Sequence, residues 1–121
     1  MSKYVCFGEV LWDILPDAEK IGGAPLNVAL RLRSFENEVS MISAIGKDSY
    51  GNRILEFMKS SGLQTSFIQS DTTGETGKVM VALDEKGTAS YDIRFPSAWD
   101  FIRIVDPYKS EVSKSDAFIF G

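Results

Sequence analysis

The sequence contains no histidine. That excludes, within these residues, a Ser–His–Asp triad, histidine-ligated zinc and imidazole acid–base chemistry. A single cysteine, Cys6, permits neither an internal disulfide nor a thiolate metal cluster. It sits in the apolar stretch "YVCF" and reads as a buried thiol in a reduced, cytoplasmic protein rather than as a reactive one. Basic charge is not in excess either: 13 Lys and Arg stand against 17 Asp and Glu, a net charge of −4, and the cations are scattered. No nucleic-acid-binding face is expected from that balance. No apolar run approaches the ~20 residues that span a bilayer, and "MSKYVCFGEVLWDIL" lacks the small-residue cleavage site of a signal peptide, so no membrane role is expected. Repeats and low-complexity segments are missing too. What remains for chemistry is carboxylates, Lys, Arg, backbone dipoles or a bound metal ion.

The 121 residues, 44% of them hydrophobic, suffice for one small globular domain. Continuous apolar residues from Tyr4 to Phe7 predict a buried strand, followed by a loop, "PDAEKIGG". Pro25 suits the first position of a helix, where a missing N–H costs nothing. Val28, Leu32 and Phe35, with Ala29, predict its apolar face, and Asn37 its left-handed exit. Val39 to Gly46 reads as a second strand, completing a β-α-β unit. Asp48 is a predicted N-cap for a helix over Ser49 to Ser61, with Tyr50, Ile54, Phe57 and Met58 as its stripe and Gly62 as its stop. A short strand is expected near Ser66 to Gln69. Two alternating runs around "DEKG" predict a hairpin with Gly87 in a left-handed turn position. Pro96 to Ile102 suggests a short helix or turn, and "DAFIF" a buried strand at the end of the chain. A parallel sheet wants helices on both faces, so a final strand suggests the front part of a larger α/β protein.

"GGAPLNVAL" (Gly22 to Leu30) carries the functional question. It matches neither the P-loop pattern nor the G-x-G-x-x-G dinucleotide pattern. What it offers is small residues that allow close backbone approach, then an amide, Asn27, that both donates and accepts. Such a combination suits a polyhydroxylated neutral ligand better than a bare anion, although a plain turn and a polar helix start would use the same residues.

"GEVLWDILP", "GGAPLNVA", "AIGKDSYGNRILEFMKSSGL" and a hairpin ending in "IRFPSAWD" together resemble the N-terminal region of the PfkB, or ribokinase-like, carbohydrate kinases, most of all the fructokinases. The resemblance runs through almost the whole chain. Glu36 departs from it, standing where the family signature usually has Gly or Ser. The resemblance implies a doubly wound, three-layer α/β fold with a small β-sheet lid, its lid segments near 11–22 and 66–96. It implies transfer of the ATP γ-phosphate to a sugar hydroxyl, with Mg²⁺, and fructose as the expected sugar. By position, Asp13 matches a carboxylate that binds sugar hydroxyls, Gly22 and Gly23 a glycine pair lying against the sugar, and Asn27 an asparagine bonding a further hydroxyl. Arg94, Trp99 and Asp100 match lid positions that can face the sugar, although an exposed cation, a packing anchor and a turn cap would look the same. Lys47 and Asp48 are expected to be structural, and Glu9 to steady a loop. The family's Gly-Ala-Gly-Asp-type segment, with the base and the anion hole, does not occur in this sequence. The 121 residues alone are therefore expected to be inactive, with ATP and Mg²⁺ handled elsewhere. A homodimer through the lid sheet is a further implication. Other ribokinase-like kinases, of ribose, keto-deoxy sugar acids or nucleosides, and a non-catalytic sugar-binding module remain alternatives.

Overall fold

The structure is a computed structural model and describes residues 2–70 and 73–121. The described residues form two four-stranded sheets. The first contains β1 (Lys3–Phe7), β4 (Glu38–Ala44), β5 (Ile68–Gln69) and β8 (Ala117–Phe120), in the order β5-β4-β1-β8. All its pairings are parallel, as crossover connections through helices require. Helix α1 (Ala24–Ser34) leads into β4, and α2 (Ser49–Ser60) follows it. Strand alternation gives this sheet two apolar faces. Cys6, Val39 and Met41 pack with Leu26 and Ala29 of α1 and Ile54 and Met58 of α2. Val5 and Ile42 face the other way, against Tyr108 of α3 (Asp106–Ser113). Glu111 ties α3 down: its Oε1 meets Lys3 Nζ at 2.9 Å and accepts from Ser40 Oγ at 3.1 Å. No helix among the described residues is long and apolar enough to cross a membrane.

The second sheet runs β3-β2-β6-β7, from β2 (Leu11–Ile14), β3 (Glu19–Gly22), β6 (Gly77–Leu83) and β7 (Ala89–Ile93). β2 pairs antiparallel with β3 and parallel with β6, and β6 and β7 form the expected hairpin. Gly87 takes φ +80° in its turn, while Asp84 Oδ1 accepts from the N–H groups of Lys86 and Thr88, both at 2.8 Å. Of the span 66–96 expected to form a lid, Ile68–Gln69 belongs instead to the parallel sheet, where it extends the edge beside β4.

Several local expectations need correction. The segment read as a loop, "PDAEKIGG", contains β3, which gains its order by pairing with β2 rather than from any apolar alternation. In α1 the buried residues are Pro25, Leu26 and Ala29, whereas Val28 and Phe35 are exposed. Helix α1 starts one residue early, at Ala24, so Pro25 takes the second position, whose N–H is equally unneeded. Glu36, not Asn37, adopts the left-handed conformation after α1, with φ +64°. Asn37 works through its side chain, donating to Leu32 O and accepting from Ser2 N. In α2, Ile54 and Met58 are buried as expected, but Gly51 and Leu55 pack inward where Phe57 stays exposed. Helix α3 had no counterpart in the expectations. Its one clear signal is Tyr108 and Val112 at i, i+4 behind Pro107.

Candidate functional site

The second sheet, β3-β2-β6-β7, here called the small sheet after the expected lid, has two chemically different faces, and its register sorts the candidate residues between them. Leu11 pairs with Gly22 and Gly77, and Asp13 pairs with Lys20 and Val79, so these side chains share one face. Trp12 and Ile14, with Lys78 and Met80, share the opposite one. There the Trp12 indole donates to Tyr50 O at 3.0 Å, and the Arg53 guanidinium lies 4.3 Å from the Trp12 ring centroid. That face is therefore the one anchored to α2.

Asp13 stands half-buried in β2, and its carboxylate makes no hydrogen bond or ion pair with any described residue. Gly22 leaves room beside it. A Cβ at Gly22 would lie 2.8 Å from Asp13 Oδ2, closer than two such atoms tolerate. Gly23 caps α1 with φ +111°, a conformation that favours glycine, and a Cβ there would sit 2.6 Å from Glu9 O. Gly8 serves the same close packing: a Cβ there would meet Pro25 Cγ at 2.6 Å and Gly121 O at 2.8 Å. The N-terminus of α1 is thus pressed against the carboxyl ends of β1 and β8, the side of an open α/β sheet where ligands bind. Asn27 projects from the first turn of α1, exposed, its amide unpaired with any described residue.

Trp99 and Asp100 lie in a 3-10 helix, Ala98–Phe101. The Trp99 indole rests on Gly77, where a Cβ would come within 2.7 Å of Cδ1. Since Gly77 shares its face with Leu11 and Gly22, Trp99 stands on the Asp13 side of the sheet. Asp100 is partly committed, Oδ2 accepting from Ser97 N at 2.7 Å to cap the 3-10 helix. Trp99 and Asp100 join Gly8, Glu9, Ile102 and Gly121 around a cavity of about 300 Å³. Asp13, Gly22, Gly23, Glu9, Trp99 and Asp100 are consequently linked by successive contacts into one surface.

Arg94 is not brought to this surface. Its N–H continues the β6 ladder at Lys78 O, 3.0 Å, which places its side chain with Lys78 rather than with Val79. Arg94 lines a separate cavity of about 450 Å³ with Ile14, Tyr50, Lys78 and Met80, and its Nε lies 3.9 Å from Asp92 Oδ2. Sequence reading missed the supporting glycines Gly8 and Gly77, because what they accommodate lies far along the chain.

Asp48, expected to be structural, is the hub of a joint. Its Oδ1 accepts from Gly51 N at 2.8 Å, capping α2, and from Thr76 Oγ1 at 2.6 Å, while Oδ2 accepts from Thr76 N at 3.0 Å. Thr76 Oγ1 in turn accepts from Gly46 N at 2.9 Å. Burial would raise the Asp48 carboxyl, but these hydrogen bonds and the Lys78 charge outweigh it and hold its pKa below the usual value. Burial alone pushes the Cys6 thiol up to about 11, leaving it protonated and inert. Among the described residues no three of His, Cys, Asp and Glu converge to hold a metal ion.

Two sheets, a parallel one flanked by helices and a mixed one beside its carboxyl edge, carry an open surface of carboxylates, an aromatic ring and close-packed glycines. The pfkB family of carbohydrate kinases matches residues 1–100, and the chain belongs to it. It is 27% identical to the probable fructokinase-5 of Arabidopsis thaliana, covering 97% of this chain and 40% of that protein. It is 29% identical to the fructokinase of Vibrio alginolyticus, over 88% of this chain and 36% of that one. The crystal structure of the Xylella fastidiosa fructokinase with bound ATP superposes with a TM-score of 0.86 at 28% identity, over 98% of this chain and 38% of that chain. The chain thus spans about 40% of the length of the fructokinase-5 it matches, and its fold is that of the ribokinase-like fructokinases.

Proposed function

We propose that these residues form the sugar-binding wall of an ATP-dependent carbohydrate kinase, with fructose as the sugar. The observation that carries this reading is the Asp13 carboxylate, partly buried yet unpaired with any described residue, beside a glycine that keeps it uncovered. A carboxylate in that state accepts hydrogen bonds from vicinal hydroxyls, and Asn27 supplies a group that both donates and accepts. Gly22 and Gly23 let the sugar approach the backbone, Trp99 packs on its C–H surface, and the free oxygen of Asp100 takes a further hydroxyl. Arg94, on the other face of the small sheet, stays outside the wall. In this reading the small sheet is a lid over the carboxyl ends of the parallel strands.

The family and the ATP-bound relative support ATP as the phosphoryl donor. ATP brings the phosphoryl group and Mg²⁺ would screen its charge; no described residue is assigned to either. Phosphoryl transfer rests on positioning and on stabilising developing negative charge, so a chain without the base and the anion hole should bind sugar and not transfer phosphate. We further propose a cytoplasmic location and a second copy of the chain as a partner on β7, the sheet edge where Tyr91, Ile93 and Phe95 are exposed. Kinetics test the central reading. The 121 residues should show no sugar-dependent ATP turnover. In a longer protein carrying them, Asp13→Ala should raise KM for fructose at least ~10-fold with KM for ATP unchanged. Unchanged sugar kinetics in that variant would remove Asp13 from the site.

A further inference from the structure

We infer that Tyr50 is a positioning residue of this site: from the opposite face of the small sheet, it fixes the row of three strands that presents Asp13 to the sugar. The inference rests on the sugar-binding reading and adds to it a residue that does not touch the ligand.

The Asp13 carboxylate has no hydrogen bond or ion pair to any described residue, so no polar contact on its own face aims it. Its direction is set by the strand beneath it. Adjacent strand residues point to opposite faces, so whatever seats Trp12 also sets the tilt of Asp13. Trp12 is buried, and its seat is Tyr50. The indole donates to Tyr50 O at 3.0 Å, and the two rings meet edge to face with centroids 5.4 Å apart. The Tyr50 hydroxyl donates to Glu19 Oε1 at 2.7 Å, and Lys78 Nζ lies 4.5 Å from the centre of the Tyr50 ring. The hydrogen bond to Glu19 holds the pKa of that hydroxyl above its ordinary value, so it stays a donor at neutral pH.

The register gives these three contacts their meaning. Asp13 pairs with Lys20 of β3 and with Val79 of β6. Trp12, Glu19 and Lys78 are the chain neighbours of Asp13, Lys20 and Val79, one on each strand, and all three turn to the α2 face. A single side chain thus holds the whole Asp13 row from behind. Its base is firm, because Tyr50 lies in the first turn of α2, whose start Asp48 caps and ties to Thr76. Arg53 lies over the Trp12 ring, and its Nη1 is 3.5 Å from Glu19 Oε2. An ion pair of that length between partly exposed groups contributes little by itself. Tyr50 is left as the residue common to the three strands.

Titration of the 121-residue chain with D-fructose, with Tyr50 varied in the presence and absence of Asp13, tests this. Binding is read at the Trp99 indole N–H resonance, since Trp99 stands on the Asp13 side at Gly77, and Trp12, bonded to Tyr50 O, reports the seat of the sheet. Tyr50→Leu should weaken fructose about 5-fold alone, but by no more than about twofold once Asp13→Asn is present, because both act through one carboxylate. A merely structural role would give the same loss in both backgrounds. Tyr50→Phe keeps the ring against Trp12 and Lys78 and should restore affinity to within about twofold of the wild type. Glu19→Lys, at an exposed position, releases β3 alone and serves if urea denaturation shows Tyr50→Leu to be unfolded. It should weaken fructose about 3-fold, again only while Asp13 is present. Wild-type affinity in the folded variant, or equal losses in the two backgrounds, would overturn the inference. If Asp13→Asn weakens fructose and the Tyr50 and Glu19 variants do not, only the role of Tyr50 falls. If fructose leaves Trp99 unmoved in the wild type, or Asp13→Asn binds as the wild type does, the sugar-binding reading falls and the role of Tyr50 with it.

Discussion

At the scale of single residues, neighbouring glycines do different work, and substitution separates them. Gly22 has an ordinary backbone conformation, and the obstacle to a side chain there is the movable Asp13 carboxylate. Gly22→Ala should therefore keep stability within about 1 kcal/mol while displacing Asp13 and weakening sugar binding. At Gly23 the obstacles are a positive φ and a fixed carbonyl oxygen. Gly23→Ala should lower unfolding free energy by about 1–3 kcal/mol, measurable by urea denaturation. Glu36 presents the converse case, a side chain bearing a left-handed conformation with φ +64°. Glu36→Gly should raise stability by about 1 kcal/mol in the same assay. Asp13, Gly22, Gly23 and Asn27 were marked as candidates by the family resemblance of two short segments. Gly8 and Gly77 were not, because the atoms that demand glycine there belong to Pro25, Gly121 and Trp99.

At the scale of elements, the joint around Asp48 holds α2, the end of β4 and the approach to β6 together, so it sets where the small sheet sits. Asp48→Asn keeps one acceptor but loses the charge and the second oxygen. It should cost about 1–2 kcal/mol, with local opening near Thr76 visible as faster amide exchange. Because the folded-state pKa of Asp48 is depressed, its contribution is complete above the ordinary carboxylate pKa. It is lost as pH falls below roughly 4 and through the lower folded value. Acid unfolding of Asp48→Asn should accordingly be shallower than that of the wild type in that range. Elements with strong periodicity or apolar continuity, such as β1, β4, α2 and the β6–β7 hairpin, were readable from sequence. β3 carries two charged residues in four, and α3 buries only Tyr108, so tertiary pairing rather than local pattern makes them. In the apolar stripe of α1, Ala29 and Leu32 pack inward as expected, but Val28 and Phe35 fit the same spacing and are exposed, and only packing on the parallel sheet selects Leu26.

At the scale of the whole molecule, the small sheet divides the functional groups by its two-residue alternation. Asp13, Gly22 and the Gly77-seated Trp99 share the face next to the carboxyl ends of β1 and β8, and Arg94 faces the α2 side with Lys78. The family pattern names these residues together, but a strand's parity, not its sequence neighbourhood, decides which of them can meet one ligand. Arg94→Met should for that reason leave fructose binding within twofold of the wild type, as read by calorimetry. Sugar binding on this face depends above all on Asp13. Fructose titrated into the wild-type chain and into Asp13→Asn, followed at the Trp99 indole resonance, is the most direct measurement. At least ~10-fold weaker binding in the variant, with the Trp12 resonance unmoved, is the predicted result. Equal affinity in the two proteins would contradict it.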